Sequence, residues 1–294
     1  MTFDTIAIVD WSGGNDTGAR ARKDAIWACA VGAGACAPTY LRNRDAAFDW
    51  LFALGTATVS NGQRALIGFD FPFGYPAGFA GRLGVSGPLD LWDFLARNLE
   101  DTPRRNSRFA LAGALNRRFP GVGPFWFNGG KADVPDLPRK GLARHDHGMA
   151  ERRLAETRAK GTFTCWQMGG AGSVGSQAMT GMAHLARLRA ALKDRVRVWP
   201  FEPLNREVAL VEIWPSLIDD AVRNAQRPDE PRDAAQVRVL AATLWEMQLA
   251  GDLTAALNDV PEIARREEGW ILGLGHQTTL SKGAERIPDV AVGQ

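Results

Sequence analysis

A mixed β-sheet with helices packed against it is the fold class this sequence predicts, and three observations predict it. Short apolar runs with β-branched or aromatic content recur, among them TIAIVD (5–10), AIWACAV (25–31) and ALIGFD (65–70). Helix-period segments alternate with later apolar runs. A chain of 294 residues, 45% of them hydrophobic, is also long enough to bury a sizeable core. Early antiparallel strands followed by alternating helix and strand make an α/β layered domain.

Each element has its own signal. Residues 5–10 and 25–31 flank the polar, Gly-containing WSGGNDTGARARK and read as a hairpin with a long loop, and residues 39–42 add a third short strand. RDAAFDWLFALGTATVSNG places Ala47, Phe48, Leu51, Phe52 and Leu54 at helical spacing and stops at Asn61-Gly62. Residues 65–70 form the next buried strand. From Phe71 to about Cys165, turn-rich stretches such as PFGYPAGFAG, RFPGVGPFWFNGG and KADVPDLPRKG interrupt short helical pieces, LDLWDFLARNL and MAERRLAETRAK. Regular structure resumes with GSQAMTGMAHLARLRAAL as a helix, RVRVWPFE and VALVEIWPS as strands, and helices over about 233–249 and 261–274. The expected organisation is one domain over 1–294, its core at about 1–70 and 166–275, with a long, mostly helical or irregular insertion or cap at about 71–165.

Composition excludes several classes. No segment reaches the ~18 uncharged apolar residues of a membrane helix, and MTFDTIAIVD carries no basic lead, so a soluble, cytoplasmic protein with no membrane partner is expected. Cys29, Cys36 and Cys165 show no CxxC spacing and read as buried free thiols. Neither GxSxG nor a nucleophile elbow is present, which argues against a serine hydrolase. His145 and His147 read as surface residues, His184 as packed. Residues 97–160 hold fourteen Lys or Arg against seven Asp or Glu, a local +7 within a total of +2 that leaves −5 elsewhere. Such a basic segment fits contact with phosphates, and a solvated arginine-rich insertion is the alternative.

Acidic residues at strand ends are the informative feature. A carboxylate in an apolar strand is costly unless paired or coordinating a metal, and Asp10 and Asp70 each end one. Ligands bind beyond the carboxyl ends of strands in open α/β sheets, so two such acids could hold a divalent cation. Ordinary turn roles, Asp10 capping WSGG and Asp70 initiating FPFG, are the competing reading. Glu212 in VALVEIWPS and Glu267-Glu268 before GWILG have similar placement.

The stretches IVDWSGG, IGFDFPFG, VEIWPS and EEGWILG, in this order, resemble an uncharacterised bacterial family of predicted nucleases with a ribonuclease H-like fold. The similarity covers about the first 70 and the last 120 residues. It implies a metal-dependent site of Mg²⁺ or Mn²⁺ at Asp10, Asp70 and a final-helix acid. That acid is an aspartate followed by alanine in the family and is placed here at Glu268, which Gly269 follows. In a two-metal phosphodiester hydrolase Asp10 would bridge the ions, Asp70 and Glu268 would hold one each, and Glu212 would be a ligand or support one. Arg104, Arg105, Arg117, Arg118 and Lys131 would neutralise the phosphates of a nucleic acid, and PFWFNGG would either stack on bases or form the core of the cap.

Other readings stay open. DWSGGNDTG is similar to the phosphate loop of the sugar-kinase and actin ATPase group, and MGGAGSVGSQAMTG (168–181) could offer amides to a nucleotide phosphate, with a helix lead capped by Ser173 or Ser176 as the plainer account. The resemblance also implies an association with molybdopterin guanine dinucleotide or cobalamin synthesis, although WSGGNDTGARAR fits a guanylyltransferase loop poorly. A non-catalytic scaffold is the remaining class.

Overall fold

The computed structural model describes residues 1–14, 16–18, 25–32, 37–127, 129 and 133–287. Its strands are β1 (Thr5–Asp10), β2 (Trp27–Val31), β3 (Thr39–Tyr40), β4 (Ala65–Phe69), β5 (Val196–Val198) and β6 (Val208–Glu212). They form a six-stranded mixed sheet in the order β3-β2-β1-β4-β6-β5. β1, β2 and β3 pair antiparallel, while β4 runs parallel to β1, and β6 parallel to both β4 and β5. The α/β expectation is met at this level.

Strands β1, β4 and β6 read as unbroken apolar runs because both faces of the sheet are covered. Side chains alternate between the two faces. Ala7, Val9, Ile67, Phe69 and Leu210 belong to one buried cluster, and Ile6, Ile8, Leu66, Ala209 and Val211 to the other. The first layer includes α1 (Arg44–Ser60), whose first turn is closed by the Asn43 side chain accepting from the Ala46 N–H at 3.0 Å. The helix stops at Asn61, where Gly62 takes a φ of 63°.

The segment after β4 carries α2 (Phe79–Arg82), α3 (Pro88–Asn98), α4 (Arg108–Asn116) and α5 (Leu154–Arg158). Its aromatics build a core that is continuous with the first face of the sheet: Tyr75 stacks on Trp166 at 5.1 Å, and Phe125 meets Trp166 edge-on at 5.0 Å. Asn116 latches this segment, accepting from the Phe125 N–H at 2.9 Å and donating to the Asp136 carbonyl at 2.7 Å. α6 (Gly175–Leu192) lies in the same layer and matches its expected range. Neither Ser173 nor Ser176 caps it. Val174 holds the cap position without a side-chain bond, because the Ser176 hydroxyl donates instead to the Met168 carbonyl.

The remaining helices are α7 (Asp219–Ala225), α8 (Arg232–Leu249), α9 (Leu253–Asn258) and α10 (Gln277–Glu285). α8 covers β1 and β2 on the second face, and α10 packs on α8. The helix expected over 261–274 does not form as one piece. A π-turn over Ala264–Glu268 ends at Gly269, whose φ of 77° breaks the helix, and Ile271 then bridges alongside Glu212 in parallel. Among the described residues no helix is long and apolar enough to cross a membrane. Cys165 is a buried free thiol as expected, Cys29 is instead disulfide-bonded, and Cys36 lies outside the described residues.

Candidate functional site

The register of β1 on β4 places Val9 beside Phe69, so the next residues, Asp10 and Asp70, emerge together at the carboxyl ends of two parallel strands. Their carboxyls are hydrogen-bonded to each other. Asp70 also accepts from the Trp11 N–H at 2.6 Å, which closes the turn out of β1. Burial pushes the Asp70 carboxyl up to about 6; bonds from Asp10 and Trp11 act against that rise, and the charge of Asp233 adds to it. Two carboxyls in contact repel when both are ionised, so a proton, a basic group or a cation favours the pair.

Asp233 is the acid that the sequence reading missed. It lies in the first turn of α8, the helix packed over β1 and β2, and its charge acts on Asp70. Among the described residues no group of three or more His, Cys, Asp or Glu side chains is closed tightly enough to hold a metal ion. Asp10 and Asp70 thus form a contact pair, and Asp233 is their charged neighbour.

Glu212 and Glu268 stand in a different setting. Arg153, fully buried, donates to Glu212 at 2.6 and 2.8 Å, to Glu156 at 2.7 Å and to the Glu268 carbonyl at 2.7 Å. Glu212 takes in addition the Phe73 N–H at 2.9 Å. Burial would lower the Arg153 guanidinium, but Glu156 and Glu212 reverse this and hold it well above its ordinary range. Glu268 spends one carboxylate oxygen on the Ala77 N–H at 2.9 Å and the other on the Leu154 N–H at 2.7 Å. Both acids therefore fasten the segment after β4 to the C-terminal part of the fold, Glu268 through two backbone amides. Gly74 shows how close that fastening is, since a Cβ there would lie 2.6 Å from the carbonyls of Glu267 and Glu268.

On the other flank of the acid pair, the loop after β1 rests on the start of α6. The Trp11 carbonyl accepts from Gln177 at 2.9 Å, and Gly13 is held so near Ser176 that a Cβ would come within 2.9 Å of it. Buried Arg44 binds the Ser12 and Gly14 carbonyls and grips Asp101 with two bonds of 2.6 and 2.7 Å. Arg108 donates to Ser176 at 3.0 Å and lies over the Phe109 ring; burial and the charge of Arg44 push it down to about 10. These two guanidiniums face one carboxylate, Asp101, beside the loop that follows Asp10. In the Gly-rich stretch before α6, the amides of Ser173 and Gly175 are spent on the Gly170 and Gln167 carbonyls.

Arg104, Arg105, Arg117 and Arg118 are exposed, with Arg105 paired to Glu100 at 3.1 Å and Arg117 to Asp136 at 2.7 Å, and Lys131 lies outside the described residues. Phe125 is core, and Phe127 packs on Phe109 at 4.2 Å, so these two aromatics of PFWFNGG build the cap. His184 is buried against Trp11, where burial pushes it down to about 4. Compared with family models, with curated proteins and with solved structures, the chain matches none.

Proposed function

We propose that the protein is a metal-dependent phosphodiester hydrolase acting on nucleic acid, built on a ribonuclease H-like sheet. The observation that carries this reading is the hydrogen-bonded pair Asp10–Asp70 at the ends of neighbouring parallel strands, with Asp233 close enough to raise Asp70. The hairpin-first order and the aspartates at the ends of β1 and β4 are what the family resemblance implies, and in this reading Asp233, which Ala234 follows, takes the place of the final-helix acid.

The donor set fits a hard cation. Carboxylate oxygens suit Mg²⁺ or Mn²⁺, which complete their shells with water, and cation binding would compete with protonation of the pair. Asp10 and Asp70 would hold it, with Asp233 adding negative charge. Bound there, such an ion supplies an activated water and stabilises the leaving oxygen of a phosphodiester. Trp11 and the loop to Gly14, pinned by Arg44 and Gln177, keep Asp10 and Asp70 in one orientation. Arg108 places positive charge on the loop side of the pair, where a substrate phosphate needs it.

The test is cleavage of single-stranded, duplex and RNA oligonucleotides in Mn²⁺. Wild-type protein is expected to cleave at least one of them and Asp70→Asn none. Absence of cleavage in every case, or equal cleavage by Asp70→Asn, removes the reading.

A further inference from the structure

We propose that the cavity beside Asp70 receives one unpaired base of the substrate, stacked on Trp214, so that the enzyme works on single-stranded nucleic acid. The inference rests on the hydrolase reading and names its substrate class. The cavity has a volume of about 140 Å³, and Asp70, Phe163, Trp214, Ile213, Thr162 and Ser216 are among its walls. That is below the ~300 Å³ at which pockets begin to hold drug-sized ligands, so it takes a single ring system and leaves the sugar and phosphate outside.

The register of the sheet puts this cavity next to the acids. Phe69 pairs with Glu212, so Asp70 lies beside Ile213, and Trp214 follows directly. The IWPS stretch thereby acquires a role that the acids alone do not give it. Two aromatic rings are held there in partial contact with water. Phe163 is 48% exposed, yet its ring is seated so closely on Gly172 that a Cβ there would fall 2.3 Å from it. Trp214 is half-buried, its indole edge 3.9 Å from where a Cβ on Gly161 would lie.

The charged groups of the cavity decide what can enter. Arg153, Glu156 and Glu212 are committed to one another, so they offer no free charge to a ligand. What remains for an occupant is ring faces with the exposed Ser216 at the rim, beside the acidic Asp70. A neutral, flat heterocycle with a polar edge suits that lining, and its phosphate would remain at the Asp10–Asp70 pair. Stacking on aromatic side chains tolerates any base but requires an open face, which a paired base within a duplex does not have.

The experiment measures anisotropy of a labelled single-stranded oligonucleotide, its abasic counterpart and the matching duplex, with Ca²⁺ as the cation. Wild-type protein is expected to bind the base-bearing strand about tenfold tighter than the abasic strand or the duplex. Trp214→Ala and, independently, Phe163→Ala should lose that preference, Trp214→Phe should keep most of it, and a 2-aminopurine in the strand should be quenched by wild type and not by Trp214→Ala. Equal binding of base-bearing and abasic strands by wild type overturns the pocket and leaves the hydrolase reading standing. Base-dependent binding without cleavage supports the pocket and removes the hydrolase. No binding of any strand overturns both.

Discussion

Asp10 and Asp70 share a hydrogen bond because β1 and β4 run parallel with Val9 beside Phe69, which makes an aspartate the next residue of each strand. Sixty residues of sequence separate the two acids, and one step of register joins them. The turn after Asp10 seals the contact through the Trp11 N–H, so the pair is part of the fold and not a chance meeting of surface side chains.

The pair has a pH signature in the metal-free protein. Asp70 is raised from 3.8 to about 6, so folding favours its protonated form; the stability this gives is complete below pH 4 and lost as pH rises through 6. Asp70→Asn can still accept from Trp11 and should gain about 2 kcal/mol over wild type between pH 4 and pH 7. His184, pushed down to about 4, tilts stability the opposite way, but it does so in both proteins and cancels in the difference. Urea unfolding of the two from pH 4 to 8 checks this, and parallel curves would contradict it.

Asp233 and Glu268 make opposite predictions for metal. Asp233→Asn should weaken Mn²⁺ binding, because it removes the charge beside Asp70. Glu268→Gln should leave Mn²⁺ affinity unchanged and lower stability by about 1–3 kcal/mol, since its oxygens serve the Ala77 and Leu154 amides. Calorimetry and thermal unfolding of both variants decide between them.

Arg153 is predicted to be structural. Arg153→Met leaves Glu156 and Glu212 buried without their partner and should cost about 3–5 kcal/mol, measurable by denaturant unfolding. Arg153→Met combined with Glu156→Gln and Glu212→Gln should recover a large part of the loss. A single variant as stable as wild type would contradict the network.

Close packing of α6 gives a further test. A Cβ on Gly181 would lie 2.3 Å from the Phe71 ring, so Gly181→Ala should destabilise by about 1–3 kcal/mol despite its better helix propensity. A rise in melting temperature would show that α6 can move away from the sheet.

Local pattern carried much of this structure and contacts carried the rest. α6 and β1 fall where their periodicity puts them, and α8 within one residue of it. The stretch 261–274 misled because its helical spacing continues through Gly269, whose positive φ depends on the chain turning back beside β6. That spacing put the third acid at Glu268, whereas the charge that reaches Asp70 comes from Asp233 at the start of α8. Glu212 looked like a ligand for the same reason that Asp10 did, a carboxylate ending an apolar strand; its neutraliser, Arg153, comes from 59 residues away and no local signal announces it. Trp214 gave no sign of facing a cavity, because that depends on the β4–β6 register.

The central claim is that Asp10 and Asp70 together hold a divalent cation. Calorimetric titration of Mn²⁺ into wild type and Asp10→Asn at pH 7.5 tests it most directly. The account predicts saturable binding by wild type that is lost in Asp10→Asn and that weakens in wild type below pH 6 as protons compete. Equal Mn²⁺ affinity in the two proteins, or none in either, would contradict it.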